Sequence, residues 1–309
     1  MPDPQISAII CTHNREAYLG KAIDSLLEQN FSGAYEVLVI DNASTDRTRE
    51  IVELRQKNPR LRYGYEPTLG LSVARNTGAN LAQSPILAYL DDDAIASPNW
   101  LQSLWNAYQQ WDNLAIAGGK VTLIWQDISP PEWLSAGLSE NLGAYDLGHQ
   151  VVWIDRPGQT PRGLNYSIRR SFLEQVGGFD RSLGRVGNNL LSNEELHMTQ
   201  LALAQGWRVA YLPDAEAAHH VAPERICQQW FLRRGWWQGI SECYREQLAG
   251  QAGLSQLPKG TERLLRGIYR SLQHWHDPAQ RFDNLTYAYG QLSYLKAAIA
   301  GMLNRVKPS

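Results

Sequence analysis

The chain has 309 residues, enough for one large domain or a domain with an appendage, and its hydrophobic fraction of 43% is ordinary for a soluble globular protein. No window offers ~18 uninterrupted apolar residues, which excludes a spanning helix, and Met1-Pro2-Asp3-Pro4-Gln5 runs straight into a strand-like stretch, so no signal peptide is expected. The net charge of −2 is uneven: Val221 to Ser309 carries 12 Lys/Arg against 6 Asp/Glu, leaving 17 against 25 elsewhere. An acidic body with a basic tail suits an anionic surface such as a membrane face, or a solvated helical face. Cys11, Cys227 and Cys243 are scattered and odd in number, which points to reduced thiols in a cytoplasmic protein and away from a disulfide framework or a zinc site.

Ile6 to Cys11 is a compact apolar strand, broken by Thr12-His13-Asn14-Arg15. A helix follows with Leu19, Ile23, Leu26 and Leu27 on one face. Glu36 to Ile40 is the second strand and ends in Asp41-Asn42-Ala43-Ser44-Thr45-Asp46, a cluster of turn and cap residues. Ile51 and Leu54 mark a helix, Leu61 to Tyr65 a third strand, and Leu69 to Ala82 another helix with Ser72 as its expected cap. Ile86 to Leu90 reads as a buried strand, and Pro98 opens a helix carrying Trp100, Leu101, Leu104, Trp105 and Tyr108. Lys120 to Ile124 reads as a strand, and Gln126 to Arg162, rich in Pro, Gly, Ser and Trp, as a long excursion. Order returns at Gly163 to Ile168, with a short helix to Val176 and a turn at Gly177 to Asp180. Glu194-Glu195 opens a helix ended by Gly206, Val209 to Leu212 is a strand, and Pro213 to Ala218 leads to His219-His220. Pro223 to Gln247 and Leu285 to Val306 complete the chain as helices. The first of these mixes Trp230, Phe231, Trp236 and Trp237 with Arg233 and Arg234, a combination that suits sugar stacking, a membrane interface or plain packing.

Strands alternating with helices predict an α/β domain with a mainly parallel sheet. In such sheets ligands bind beyond the carboxyl ends of the strands. Asp41 and the run Asp91-Asp92-Asp93 both fall at such ends. Three adjacent carboxylates repel one another, and a divalent cation relieves them; Mg²⁺ typically combines one or two carboxylates with substrate phosphates. The run reads as a metal–diphosphate site or as a solvated acidic loop. No glycine loop of phosphate-cradling spacing is present, so arginine would have to help neutralise a diphosphate. Arg75, just after Ser72, is a candidate for that task or a surface helix residue.

Four blocks in order resemble a family 2 glycosyltransferase of the GT-A fold, over roughly Ile6 to Gly239. They are Thr12, Asn14 and Arg15 after the first strand; Asp41, Asn42, Ser44 and Asp46 after the second; Gly70 to Asn76 followed by the triple aspartate; and Gly177 to Asp180, Glu194-Glu195, Gly206, Pro213 and His219. The resemblance implies a Rossmann-like α/β/α sandwich over residues 1–222 and a C-terminal helical extension over 223–309. That extension would serve the acceptor, a partner or a peripheral contact with the cytoplasmic membrane face. It implies a nucleotide-diphosphate sugar as donor, with UDP the family expectation, a saccharide or lipid-linked acceptor as in polysaccharide or glycolipid biosynthesis, and no nucleic-acid partner.

By the same resemblance Asp41 reads the nucleobase, Thr12, Asn14 and Arg15 line its pocket, and Arg75 lies close to the nucleotide. Asp93 is the metal ligand for Mn²⁺ or Mg²⁺, while Asp91 and Asp92 hold ribose, sugar or metal-bound water. His219 faces the metal or diphosphate, with the adjacent His220 as the alternative. Glu195 stands where the family carries a catalytic aspartate base, and a single base implies inversion. The other classes weighed are a nucleotidyltransferase, a catalytically idle nucleotide-sugar-binding protein and a membrane-surface scaffold.

Overall fold

A computed structural model describes residues 3–126, 128–187, 189–250 and 256–305. Two compact units emerge. The first comprises Met1–Ile124, Gly143–Ser182 and Glu194–His220; the second comprises Trp125–Leu142, Leu183–Asn193 and Val221–Ser309.

The first unit opens with β1 (Ile6–Thr12), α1 (Glu16–Leu27), β2 (Tyr35–Asp41), α2 (Thr48–Glu53), β3 (Leu61–Tyr65), α3 (Leu71–Leu81) and β4 (Ile86–Leu90). Strands β3, β2, β1 and β4 lie side by side and parallel. β2 and β4 are buried at every residue, as expected of strands covered on both faces. Next come β5 (Ala94–Ala96), α4 (Trp100–Gln110) and β6 (Leu114–Ile124), then a single helical turn of the second unit, α5 (Ala136–Ser139). The first unit resumes with β7 (Val152–Trp153), β8 (Asn165–Arg169), α6 (Arg170–Gln175), α7 (Glu194–Ala204) and β9 (Arg208–His220). The sheet runs β3-β2-β1-β4-β8-β6-β9-β5, with β7 against β9. β8 enters antiparallel between β4 and β6, while β6 and β9 are parallel. This is the α/β architecture expected, a parallel core with antiparallel additions.

Three local features differ from the sequence reading. The helix after Thr68 starts at Leu71 with Gly70 at its cap position; Ser72 is buried within the first turn. Gly70 holds φ 153°, a conformation costly for any residue with a Cβ, and its N–H donates to Asn42 Oδ1 at 2.8 Å. The strand expected over Val209 to Leu212 runs on to His220, through Pro213. Its pairing with β6 jumps from Gly119↔Leu212 to Val121↔Ala217, so the proline sits in a bulge where no ladder N–H is needed. The bulge folds over Gly119, where a Cβ would lie 2.0 Å from the Ala215 carbonyl oxygen. Finally, Leu54 is exposed and α2 is only six residues long.

The second unit is built on α8 (Gln228–Leu248), α9 (Leu257–Gln273) and α10 (Pro278–Arg305). The last helix begins seven residues before the expected Leu285, and Val306 lies outside the described residues. α8 and α10 approach closely through glycines: a Cβ on Gly239 would stand 1.9 Å from the Gly290 carbonyl oxygen. Part of the expected excursion belongs here. Trp133 packs edge-on against Phe231 and Phe282 at 5.4 and 5.2 Å, and Ser135 Oγ donates to Asp283 at 2.6 Å. No helix among the described residues is long and apolar enough to cross a membrane.

Candidate active site

The carboxyl ends of β1, β2 and β4 deliver their loops to one edge of the parallel sheet, as strand register requires. Thr12 pairs with Asp41 across β1 and β2, and β4 ends at Leu90, just before the aspartate run. Asp41 is buried and holds its loop with both oxygens, accepting from Ser44 N at 2.9 Å and Tyr63 Oη at 2.8 Å. Asn14, in the left-handed region at φ 53°, joins the first loop to the second: its N–H donates to Ser44 Oγ, and its Oδ1 accepts from Thr45 N at 2.8 Å. Asp46 accepts from the backbone of Glu16 and of Thr48 and so ties α1 to α2.

Asp93 is the point on which this edge converges. Its Oδ1 lies 3.0 Å from His219 Nε2, and its Oδ2 lies 3.6 Å from Arg15 Nη2. The contact follows from register: β5 pairs antiparallel with β9 so that Ala94 opposes His219. Without the bulge at Pro213, β9 would not arrive here in phase. The same register separates the two histidines. His220 donates its backbone N–H to the Asp93 carbonyl, and its ring packs on Tyr18 with both nitrogens buried and without hydrogen-bond partners. Burial, and then Lys21, hold its pKa below the ordinary imidazole value.

Asp91 is half-buried and Asp92 buried. Burial, and then the charge of Asp93, push the Asp92 carboxyl up to about 7. Among the described residues no three His, Cys, Asp or Glu side chains gather as a complete metal cage. Asp93 and His219 offer one carboxylate and one imidazole, a donor pair that fits a divalent ion whose remaining ligands come from a diphosphate and water.

The second cluster lies at the start of α7. Arg75 is 2% exposed, and its Nη1 donates to Glu194 Oε1 and to Glu195 Oε1, both at 3.0 Å. The guanidinium expected close to a nucleotide is thus engaged by the glutamate pair. It rests near the Phe179 and Tyr89 rings, and Asn76 beside it fixes Phe179 by two backbone hydrogen bonds of 2.8 Å. The blocks around Arg75, Gly177 and Glu194 are therefore one constellation. Glu194 is buried, and burial, followed by the charge of Glu195, pushes its carboxyl up to about 7. The Glu195 side chain keeps 13% exposure and is the member of the pair open to a substrate.

Gly163 was not singled out from the sequence, yet it makes the cluster possible. A Cβ there would fall 1.7 Å from Glu195 Oε1 and 2.5 Å from Arg75 Nη2. A glycine two residues before a strand is the signal that could have drawn attention to it. Cys11, half-buried at the end of β1, has its thiol pushed up to about 12 by burial and is chemically quiet; all three cysteines are free.

The profile described as Glycosyl transferase family 2 matches residues 7–136, and that described as Glycosyl transferase family group 2 matches 86–302, more than two-thirds of the chain. The chain is a family 2 glycosyltransferase. It is 27% identical over 257 residues to the glucosyl-dolichyl phosphate glucuronosyltransferase of Haloferax volcanii, covering 80% of this chain and 79% of that one. It is 39% identical over 108 residues to the validoxylamine A glucosyltransferase of Streptomyces hygroscopicus subsp. limoneus, covering 34% and 24% respectively. Among solved structures, the fold is similar to that of the mannosyltransferase PcManGT from Pyrobaculum calidifontis in complex with GDP-Man and Mn²⁺. There the TM-score is 0.58 at 18% identity, covering 99% of this chain and 76% of that one. TarS from S. aureus in complex with UDP-GlcNAc gives a TM-score of 0.53 at 16% identity, covering 94% and 92%. Both are of the GT-A type, and the glycosyltransferase described here has that fold. Membership of this family favours a glycosyltransferase over the nucleotidyltransferase alternative.

Proposed function

We propose that this glycosyltransferase moves a sugar, with inversion, from a nucleoside-diphosphate sugar to a hydroxyl of a saccharide or lipid-linked acceptor, with UDP as the first nucleotide to test. The observation that carries the reading is the placing of Asp93 against His219 at the same sheet edge as Asp41. Thr12, Asn14, Arg15 and Asp41 form the nucleoside pocket. Each Asp41 oxygen keeps a second lone pair for a base N–H after serving Ser44 or Tyr63. Asp91 and Asp92 face the ribose and the sugar. Asp93 and His219 hold a divalent cation, Mn²⁺ or Mg²⁺, which when bound stabilises charge on the departing diphosphate.

Glu195 takes the proton of the acceptor hydroxyl as its oxygen bonds to the anomeric carbon and the bond to the diphosphate breaks. Arg75 positions that carboxylate through Oε1. The neighbours in complex with GDP-Man and UDP-GlcNAc support a nucleotide-sugar donor, and the Haloferax relative, named for a dolichyl phosphate substrate, supports a lipid-linked acceptor.

Calorimetry with a panel of nucleoside diphosphates tests the donor site. One nucleotide is expected to bind in the presence of Mn²⁺, and Asp93→Ala is expected to weaken it by at least about tenfold, the scale of lost metal-site support. Binding indifferent to Mn²⁺ and to the substitution would remove the cation from the account.

A further inference from the structure

α9 is packed the wrong way round for an ordinary surface helix. Its buried positions are Gly260, Gly267 and Ser271. Its large apolar residues face out: Leu265, Tyr269 and Leu272 are 61, 66 and 62% exposed, with Ile268 between them. These four fall at helical spacing and form one stripe. The small residues seat α9 on α10. A Cβ on Gly267 would meet Ala288 at 3.0 Å, one on Gly260 would meet Leu295 at 2.8 Å, and Ser271 Oγ donates to the Arg281 carbonyl at 3.1 Å. As numbers fall along α9 they rise along α10, so the pair is antiparallel.

α10 buries Phe282, Ala288, Tyr294 and Ala298 against its neighbours, yet it leaves a second apolar row, Leu285, Leu292 and Ile299, exposed. At 3.6 residues per turn, the α9 stripe lies roughly a third of a turn clockwise from its contact face, and the α10 row roughly a tenth of a turn clockwise from Arg281, Ala288 and Leu295. In an antiparallel pair those two offsets fall on the same side. The hairpin therefore presents one continuous apolar face.

Charge decides what that face meets. α9 carries Lys259, Arg263, Arg266 and Arg270 against a single acid, Glu262. Val221 to Ser309 as a whole holds 12 Lys/Arg against 6 Asp/Glu, an excess that opposes pairing with a second copy. Two of the aromatic residues are capped by cations: Arg281 lies 3.9 Å from the centroid of Trp275, itself exposed at the hairpin turn, and Lys296 lies 5.6 Å from that of Trp236. A strongly two-faced helix with apolar and aromatic residues on one side and Lys/Arg on the other is the form that lies in a lipid–water interface. Basic residues there gain from anionic headgroups.

We propose that the α9–α10 hairpin is the surface by which this protein docks on an anionic lipid bilayer, lying in its interface without crossing it.

Flotation of the full chain with lipid vesicles tests it. The wild type is expected to float with vesicles in which roughly a third of the lipid is phosphatidylglycerol, to stay behind with pure phosphatidylcholine, and to release at high salt. The double variant Leu265→Glu, Leu272→Glu is expected to lose about tenfold or more of that binding. Its thermal unfolding should be unchanged, since both side chains are exposed. No flotation of the wild type, or undiminished flotation of the variant, would overturn the proposal. So would a stable wild-type dimer in vesicle-free solution that the same variant dissolves, because the face would then belong to a second copy.

Discussion

Glu195→Gln is expected to lower kcat by roughly 10²–10⁴-fold, the usual worth of a positioned general base, while leaving donor affinity almost unchanged. Glutamine has the shape of glutamate and keeps an oxygen that can accept from Arg75 Nη1, which donates to Glu195 Oε1 at 3.0 Å. The constellation should therefore stay assembled, and what disappears is the ability to take a proton. Steady-state kinetics paired with calorimetric donor binding on one preparation separates the two effects. A fall in donor affinity matching the fall in kcat would mean that Glu195 serves binding. Undiminished turnover would remove it from the chemistry.

Arg75→Met is expected to cost about 3–5 kcal/mol of stability near neutral pH, the scale of breaking a buried pair from one side. Arg75 is the shared partner of Glu194 and Glu195, and Glu194 Oε2 is already buried without a hydrogen bond. Without the guanidinium, two carboxylates crowd a buried site and only protonation relieves them. The sign follows from Glu194, whose carboxyl is raised in the fold from 4.5 to about 7. Across that window the folded chain binds more protons than the unfolded one, so this group's contribution is full in acid and lost as pH rises.

Removing Arg75 takes away a charge that pulls the Glu194 value down, so the loss deepens and extends to higher pH. Urea unfolding near pH 5 and near pH 8 should show a small deficit at the lower value and the large one at the higher. A deficit independent of pH would indicate lost packing on Phe179 and Tyr89 as the main effect.

The elements that the sequence predicted well are those whose burial leaves little choice. β1, β2 and β4 are near-continuous apolar runs because helices cover both faces, and the acidic residues at their ends follow at once. Short elements carry too few residues to show a period, so β5, with three residues, and β7, with two, went unread. β5 matters most, because its pairing with β9 brings His219 rather than His220 to Asp93.

The cap at Gly70 was obscured because serine is ordinarily the better cap, while here Asn42 from another loop satisfies the Gly70 N–H. Arg75 pairs with residues 119 and 120 positions away, and nothing local announces such a partner. The outward-facing stripe of α9 is legible as a helical period. That its small residues, and not its large ones, meet α10 becomes plain only with the packing in view.

The proposed reaction is a single displacement at the anomeric carbon with a nucleoside diphosphate as the leaving group. Proton NMR of the reaction as it runs, with an α-linked donor and the acceptor in hand, tests it most directly. Release of the nucleoside diphosphate together with a β-linked product is expected from the first turnovers. An α-linked product, or release of pyrophosphate with the nucleotide carried onto the acceptor, would contradict it.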